Sequence, residues 1–469
     1  MCRYYYLCKL IKTNNNLQDL TEGNVAKKIL LFSLPLLAGT IFQQLYNVVD
    51  SMVVGNYIGK EALAAVGASF PVIFVIISLL IGISSGISVV ISQYYGAKQY
   101  DNVVKSINTF FAFVFSTSLV FSLLGVYFAR DIFELLKLPA DVIDDATVYL
   151  QIYLGGMVVM FGFYGTNAIL RGMGDSKTPL YFTIVSTVLN IILDLVFVIQ
   201  LGWGIKGVAY ATVIAQAVSF LGAAIYLNRS SSLIQFSFKN LKVDIDILIK
   251  SLKIGLPTGL QQSFVALGMI AIMRIVNDFG TDTIAAFTAA SRLDSFASMP
   301  AMAFASALAT FVGQNLGANK IDRIKQGYKI TLLISSVLSI AVSVLMYYYG
   351  RELITLFSKD PNVIEIGYNY LVIVSSFYVL FSAMFVTQGL LRGAGDTLIP
   401  MFITLFALWI LRIPISFYLS RPEVGLGADG IWWGIPIAWS FGFLASLTYL
   451  LSGRWKTKGI IKHKKKSDD

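Results

Sequence analysis

The sequence predicts an all-α integral membrane protein with twelve transmembrane helices in two six-helix lobes, related by a pseudo-twofold axis along the membrane normal. Three observations lead there: an apolar, charge-poor composition, the recurrence of span-length hydrophobic stretches, and a second half that repeats the first in register.

Of 469 residues, 56% are hydrophobic and only 13% charged, which is more apolar surface than a soluble domain can hide. A helix needs about 20 largely apolar residues to cross a bilayer, and charge-poor stretches of that length recur from Leu30 to Leu451. Read from the apolar runs, the spans are 28–55, 62–92, 102–128, 145–170, 178–200 and 205–228, then 248–276, 284–313, 323–349, 365–390, 399–419 and 428–452. The domain plan is a leader (1–24), an amino lobe (25–228), a linker (229–247) that includes the polar run Arg229-Ser230-Ser231-Ser232, a carboxyl lobe (248–453) and a basic tail (454–469).

The formal charge of +10 does not point to nucleic acid, because the basic residues alternate with the spans instead of gathering on one face. With the N-terminus inside, Lys and Arg favour the inner segments by about three to one, the positive-inside pattern. The expectation is a plasma-membrane protein with both termini cytoplasmic. The leader lacks a long apolar core with a cleavage site and does not read as a removable signal peptide. Cys2, Cys8 and His463 lie at the chain ends, so no metal cluster or thiol nucleophile is expected. No phosphate-binding Gly-x-x-x-x-Gly-Lys-Ser/Thr loop occurs, which argues against energy from bound ATP. The tail from Arg454 to Lys466 has two readings: contact with anionic lipid, or a topology signal only.

Duplication shows in recurring motifs. Leu34-Pro35 returns as Leu256-Pro257, Gln93-Tyr94-Tyr95-Gly96-Ala97 as Gln314-Asn315-Leu316-Gly317-Ala318, and Leu170-Arg171-Gly172 as Leu391-Arg392-Gly393, at offsets of 221 to 222. Gly204, Gly207, Ile214 and Ala215 match Gly427, Gly430, Ile437 and Ala438 at 223, as a one-residue loop insertion would produce. Two six-span units with one orientation form the parallel-repeat plan of transporters, whose central cleft opens alternately to either side.

Ionisable side chains within spans are expensive at about 2.5–3.5 kcal/mol or more, so each needs a reason. Asp50 lies fifteen residues beyond Pro35, and Asp194 fifteen beyond Pro179. At 1.5 Å per residue both stand about 22 Å along their helices, on one level. Asn190 sits one turn before Asp194 on the same face, and Thr212 on the following span reaches a comparable depth. Two carboxylates close together in low dielectric share a proton or hold a cation. Asp50, Asn190, Asp194 and Thr212 are therefore the candidate proton-binding and ion-coupling group, and the same four would ligate Na+.

With these residues in place, the chain resembles the multidrug and toxic compound extrusion (MATE) family over nearly its whole length. The matching signals are Leu34-Pro35 followed by Tyr46-Asn47-Val48-Val49-Asp50, the Gln93-x-x-Gly96-Ala97 end of the second span, and Leu170-Arg171-Gly172-x-Gly174-Asp175. The resemblance implies a coupling role for Asp50, an amino-lobe ion site at Asn190, Asp194 and Thr212, and a hinge at Pro35. It is closer to the DinF-like and archaeal branch than to the NorM-like one, since the acidic positions of the latter fall here on Val265 and Phe381. It implies a secondary antiporter, not an enzyme, that exports cationic or amphipathic small molecules by alternating access. No cofactor is expected beyond the coupling ion, H+ or Na+. The expected partners are those substrates and the lipid bilayer, with the chain acting as a monomer. The alternative within the same superfamily is a flippase for lipid-linked saccharides, which would want a cation-rich cleft.

Other polar residues get a structural reading. The carboxyl lobe contains Arg274, Arg292, Asp294 and Arg412; Arg292 and Asp294, two apart, point in different directions and are expected to bond different neighbours. Met299, Met302 and Phe304 are read as helix packing or lipid contact, and Gly82, Gly86, Gly155 and Gly156 as sites of close helix approach.

Overall fold

A computed structural model describes residues 17–230 and 243–461. Cys2, Cys8, His463, the first part of the leader, most of the linker and the lysines of the tail from Lys462 lie outside the described residues.

The described chain is nearly all helical. The first helix, α1 (Val25–Val53), runs into a π-helical turn (Val54–Ile58). It is followed by α2 (Lys60–Gly96), α3 (Tyr100–Leu135), α4 (Ala140–Gly155), α5 (Met157–Gly172), α6 (Lys177–Asp194) with a π-helical end (Leu195–Gln200), and α7 (Gly204–Ser230). The second half contains α8 (Ile245–Asn277), α9 (Thr281–Gly317), α10 (Ile321–Thr355), α11 (Pro361–Ser375) and α12 (Tyr378–Ala394). It ends with α13 (Leu398–Leu405), a π-helical stretch (Phe406–Arg412), α14 (Ile413–Leu419) and α15 (Asp429–Leu451). Ten rods are long and apolar enough to cross a membrane, and two bent pairs bring the spans to twelve.

The bent pairs fall where the sequence placed the spans 145–170 and 365–390. α4 and α5 meet at 51°, α11 and α12 at 50°. At the first break, Val213 of α7 packs on Gly156 so closely that a Cβ there would lie 2.5 Å from the valine Cγ2. Gly86 meets the backbone of Ser251 and Gly255, and the carbonyl of Gly82 abuts Gly255, as close approach requires. Gly155 does not fit that reading: a Cβ at that position would meet nothing within 4 Å.

The chain forms two compact units that do not follow the sequence halves. One contains Ala38–Leu256 with the described residues before Leu20; the other contains Leu20–Leu37 and the described part of the chain from Pro257. The first turns of α1 therefore belong with the second half, and those of α8 with the first. In the first unit α2 packs on α3, α4 and α5, while α7 packs on α4, α5 and α6. In the second α9 takes the place of α2 against α10, α11 and α12, and α15 packs on α11, α12 and α14.

The repeated motifs explain this exchange. Gln314 Oε1 accepts from the Leu20 N–H (3.0 Å), Asn315 donates to the Leu20 carbonyl (3.1 Å), and Lys320 and Arg323 donate to the carbonyls of Thr21 and Glu22. Leu20, Val25, Ile29 and Phe32 then enter an apolar core with Phe304, Leu308, Phe311 and Leu390. In the first unit the Asp244 N–H donates to Thr109 Oγ1 (2.9 Å).

The Leu-Arg-Gly-x-Gly-Asp motif is a turn that aims the next helix. Gly174 has φ +94°, a left-handed conformation suited to glycine. Asp175 Oδ1 accepts from the N–H groups of Lys177 (3.0 Å) and Thr178 (2.9 Å), and Oδ2 from the Thr178 hydroxyl (2.6 Å), capping α6. Burial lifts the Asp175 carboxyl above its ordinary range, and these hydrogen bonds oppose the rise. Asp175→Ala is expected to destabilise the folded protein by about 1 kcal/mol, seen as a lower apparent Tm in detergent. Asp175→Asn, which keeps an acceptor, should recover most of that loss.

Candidate functional site

Four polar residues of the first unit, drawn from α1, α6 and α7, come together in its interior. Asp50 is 9% exposed, Asp194 0%, Asn190 1% and Thr212 1%. On α1, Tyr46 precedes Asp50 by one turn, and its hydroxyl bonds to Thr212 Oγ1 at 2.9 Å, tying α1 to α7. On α6, Asn190 and Asp194 are likewise one turn apart on a single face. The carboxyl groups of Asp50 and Asp194 lie close enough to share a hydrogen bond. Such a bond needs a proton on one of them, because two carboxylates can only accept.

Without that proton the site is short of donors. Asp50 Oδ1, both Asp194 oxygens and both polar atoms of Asn190 are buried with no hydrogen-bond partner. Leaving buried polar groups unpaired is costly; a proton would bridge the two carboxyl groups, and a small cation could take up the unpaired oxygens, leaving only Asn190 Nδ2. Among the described residues no group of three or more His, Cys, Asp or Glu could hold a metal ion. The oxygen donors here are two carboxylates, one amide and one hydroxyl, a hard set suited to an alkali cation.

Sequence reasoning missed two members of the surroundings. Tyr149 of α4 stands within electrostatic reach of both Asp50 and Asp194, and Tyr153, one turn on, within reach of Asp50. Both are buried, and their four-residue spacing puts them on one face; that spacing, and the recurrence of Tyr149 as Tyr370 at the repeat offset, was the available signal. Each acid also adjoins a π-helical segment. Leu195–Gln200 follows Asp194 directly, Val54–Ile58 begins four residues after Asp50, and the two segments pack together. Widened turns of this kind concentrate at functional sites.

Pro35 lies inside α1, two residues before the chain passes from one compact unit to the other. In the second unit Val265 is partly buried, and Phe381 packs on Phe385 and Trp439 (ring centroids 4.5 and 4.8 Å). Met299 and Phe304 are buried, Met302 is exposed, and Arg274 pairs with Asp278 at 2.8 Å. Arg292 is exposed whereas Asp294 is partly buried, so the two do point apart.

Twelve spans, two sequence repeats and a buried acidic site within one unit define a duplicated multi-pass membrane transporter. The MatE family profile matches residues 35–196 and again 257–418, so the chain belongs to the MATE family and carries two copies of its repeat. It is 33% identical over 447 residues to the probable multidrug resistance protein YpnP of Bacillus subtilis, covering 95% of this chain and 99% of that one. It is 27% identical to the probable multidrug resistance protein NorM of Thermotoga maritima, covering 93% and 94%. Among solved structures, an outward-facing MATE transporter of the MOP superfamily superposes with a TM-score of 0.87 at 25% identity, covering 94% and 98%. A MATE solved in a straight and in a bent conformation gives 0.86 and 0.85. Members of this family are transporters, not enzymes, and nothing in these relatives favours the saccharide-lipid flippase alternative.

Proposed function

We propose that this protein is a secondary antiporter of the plasma membrane, with both termini cytoplasmic, that exports cationic or amphipathic small molecules as protons or sodium ions move inward. The coupling group is Asp50, Asn190, Asp194 and Thr212. The observation that supports it is the set of unpartnered acceptors at Asp50, Asn190 and Asp194, buried within one unit. Occupied by a proton or Na+, the site loses half of its negative charge and α1 and α6 draw together; emptied, the two carboxylates repel, and the energy of α1 changes with them. The multidrug names of the relatives support the substrate class, and the monomeric state follows the same family reading.

The test is efflux of a fluorescent cationic dye from proteoliposomes under separately imposed proton and sodium gradients. One gradient should drive dye movement against its concentration; indifference to both would overturn the coupling. Pro35 is the proposed hinge, because a proline leaves one helix hydrogen bond unmade and permits a bend. Pro35→Ala should slow efflux several-fold and shift cysteine-accessibility labelling towards one state, with the apparent Tm unchanged. Wild-type efflux and labelling would exclude the hinge.

A further inference from the structure

The second unit has an open apolar cavity that the coupling group does not use. Its walls are Phe264 of α8 and Phe402, Leu405, Phe406, Trp409 and Ile410 of α13 and the π-helical stretch, and its volume is about 450 Å³. All of these side chains except Leu405 are exposed, so the groove is open to what surrounds the chain. The walls are held in place. The Trp409 Nε1–H donates to the Phe264 carbonyl at 3.2 Å. Behind the groove α8 and the π-helical stretch press together, where a Cβ on Gly268 would lie 2.4 Å from Leu408 Cδ2.

A cation stands at one end. Arg412 follows Trp409 by three residues and Met269 follows Phe264 by five, so the same two elements meet again about one turn beyond the groove. There the Arg412 guanidinium has one hydrogen-bond partner among the described residues, the Met269 sulfur at 3.7 Å, and its Nε is buried with none. Asp294 and Tyr370 lie within electrostatic reach, but the ion pairs of this unit, Arg274–Asp278, Lys325–Asp322 and Arg351–Glu365, leave Arg412 out. A guanidinium carries five N–H donors and stays charged, so a sulfur contact leaves most of them unsatisfied.

The level of this cation suits a lipid. Arg412 is seven residues from the end of α14 at Leu419, about 10 Å, and the exposed Phe417 and Tyr418 fit the aromatic girdle of a membrane interface. Long basic side chains near span ends snorkel outward, and the bilayer thins around an embedded arginine. Both effects bring a headgroup phosphate within reach. From Arg412 back to Phe402 is ten residues, about 15 Å, or half of the hydrocarbon core of about 30 Å. That is the depth of one leaflet.

We propose that Arg412 and the groove form a binding site for a phospholipid of the leaflet at the Leu419 end, with its phosphate on the guanidinium and one acyl chain along Trp409, Phe406 and Phe402. Charge selects this occupant: a guanidinium matches two oxygens of a phosphate in parallel hydrogen bonds, whereas a wholly apolar occupant would leave the donors unsatisfied. The site requires only that the chain crosses the bilayer, and is independent of what it exports and of the ion that drives export.

Tryptophan quenching in the purified full-length protein in detergent tests it. The probes are phosphatidylglycerol with brominated acyl chains and diacylglycerol with the same chains and no phosphate. Phosphatidylglycerol should saturably quench part of the emission of the six tryptophans, at about tenfold lower concentration than diacylglycerol, as a charge-assisted hydrogen bond predicts. Trp409→Phe should remove that part. Arg412→Gln should bring phosphatidylglycerol to the diacylglycerol level, and Arg412→Lys should keep some of the difference. Inorganic phosphate in excess should not displace the lipid, because the groove holds the chain. Equal affinity of the wild type for the two lipids would overturn the site, and that comparison needs no variant to fold. So would full quenching in Trp409→Phe, or displacement by free phosphate. Tighter binding of a trimethylammonium amphiphile with the same chains would give the groove to a cationic substrate and overturn it too.

Discussion

Asp50→Asn is expected to abolish gradient-driven efflux, by at least about tenfold, while inserted and folded protein accumulates normally. Asparagine keeps the shape of aspartate but cannot exchange a proton at neutral pH and offers a cation a neutral oxygen. Asp194→Asn should do the same, and the double variant should be hardly worse than either, because residues acting as a unit are non-additive. The basis is the approach of the two carboxyl groups, close enough for one proton to serve both. Asn190→Ala should have a milder effect, since it removes a neutral ligand. Proton release and efflux measured over a pH series in these variants decide the matter: multiplicative losses for the two aspartates would place them in separate sites.

The second large effect is on folding. A Cβ at Gly86 would lie 2.2 Å from the Ser251 carbonyl oxygen and 2.8 Å from the Gly255 nitrogen, both backbone atoms that cannot turn aside. Gly86→Leu should therefore force α2 and the start of α8 apart and sharply reduce the yield of monodisperse protein, overpacking of this kind costing about 1–3 kcal/mol or more. Gly67 on the same helix has nothing within 4 Å of its would-be Cβ, so Gly67→Ala should be neutral or slightly stabilising. Size-exclusion profiles of the two variants compare them directly; a normal profile for Gly86→Leu would show that the crossing has slack.

The sequence made the spans and their duplication legible, because the cost of burying charge in lipid and the length of a bilayer-crossing helix act on every stretch alike. The candidate group was legible for the same reason: Asp50 and Asp194 are rare charges at equal distances from prolines. Tyr149 and Tyr153 were not, since a tyrosine within a span carries no such penalty and reads as ordinary packing. The breaks at Gly156 and Phe377 were hidden among the chain's 38 glycines and long apolar runs, and a π-turn leaves no compositional mark.

The exchange of first turns between α1 and α8 has a consequence for biogenesis. During synthesis the stretch Ala38–Ser230 emerges before residues 245–256, which complete its unit, while Leu20–Leu37, made earliest, waits for the residues after Pro257. Neither unit can mature alone, so a ribosome stalled in the linker leaves an intermediate with two unfilled berths. The pattern is that of a segment swap held within a single chain. Co-expressed fragments cut within 231–242 would have to find each other in the membrane before either could complete its core.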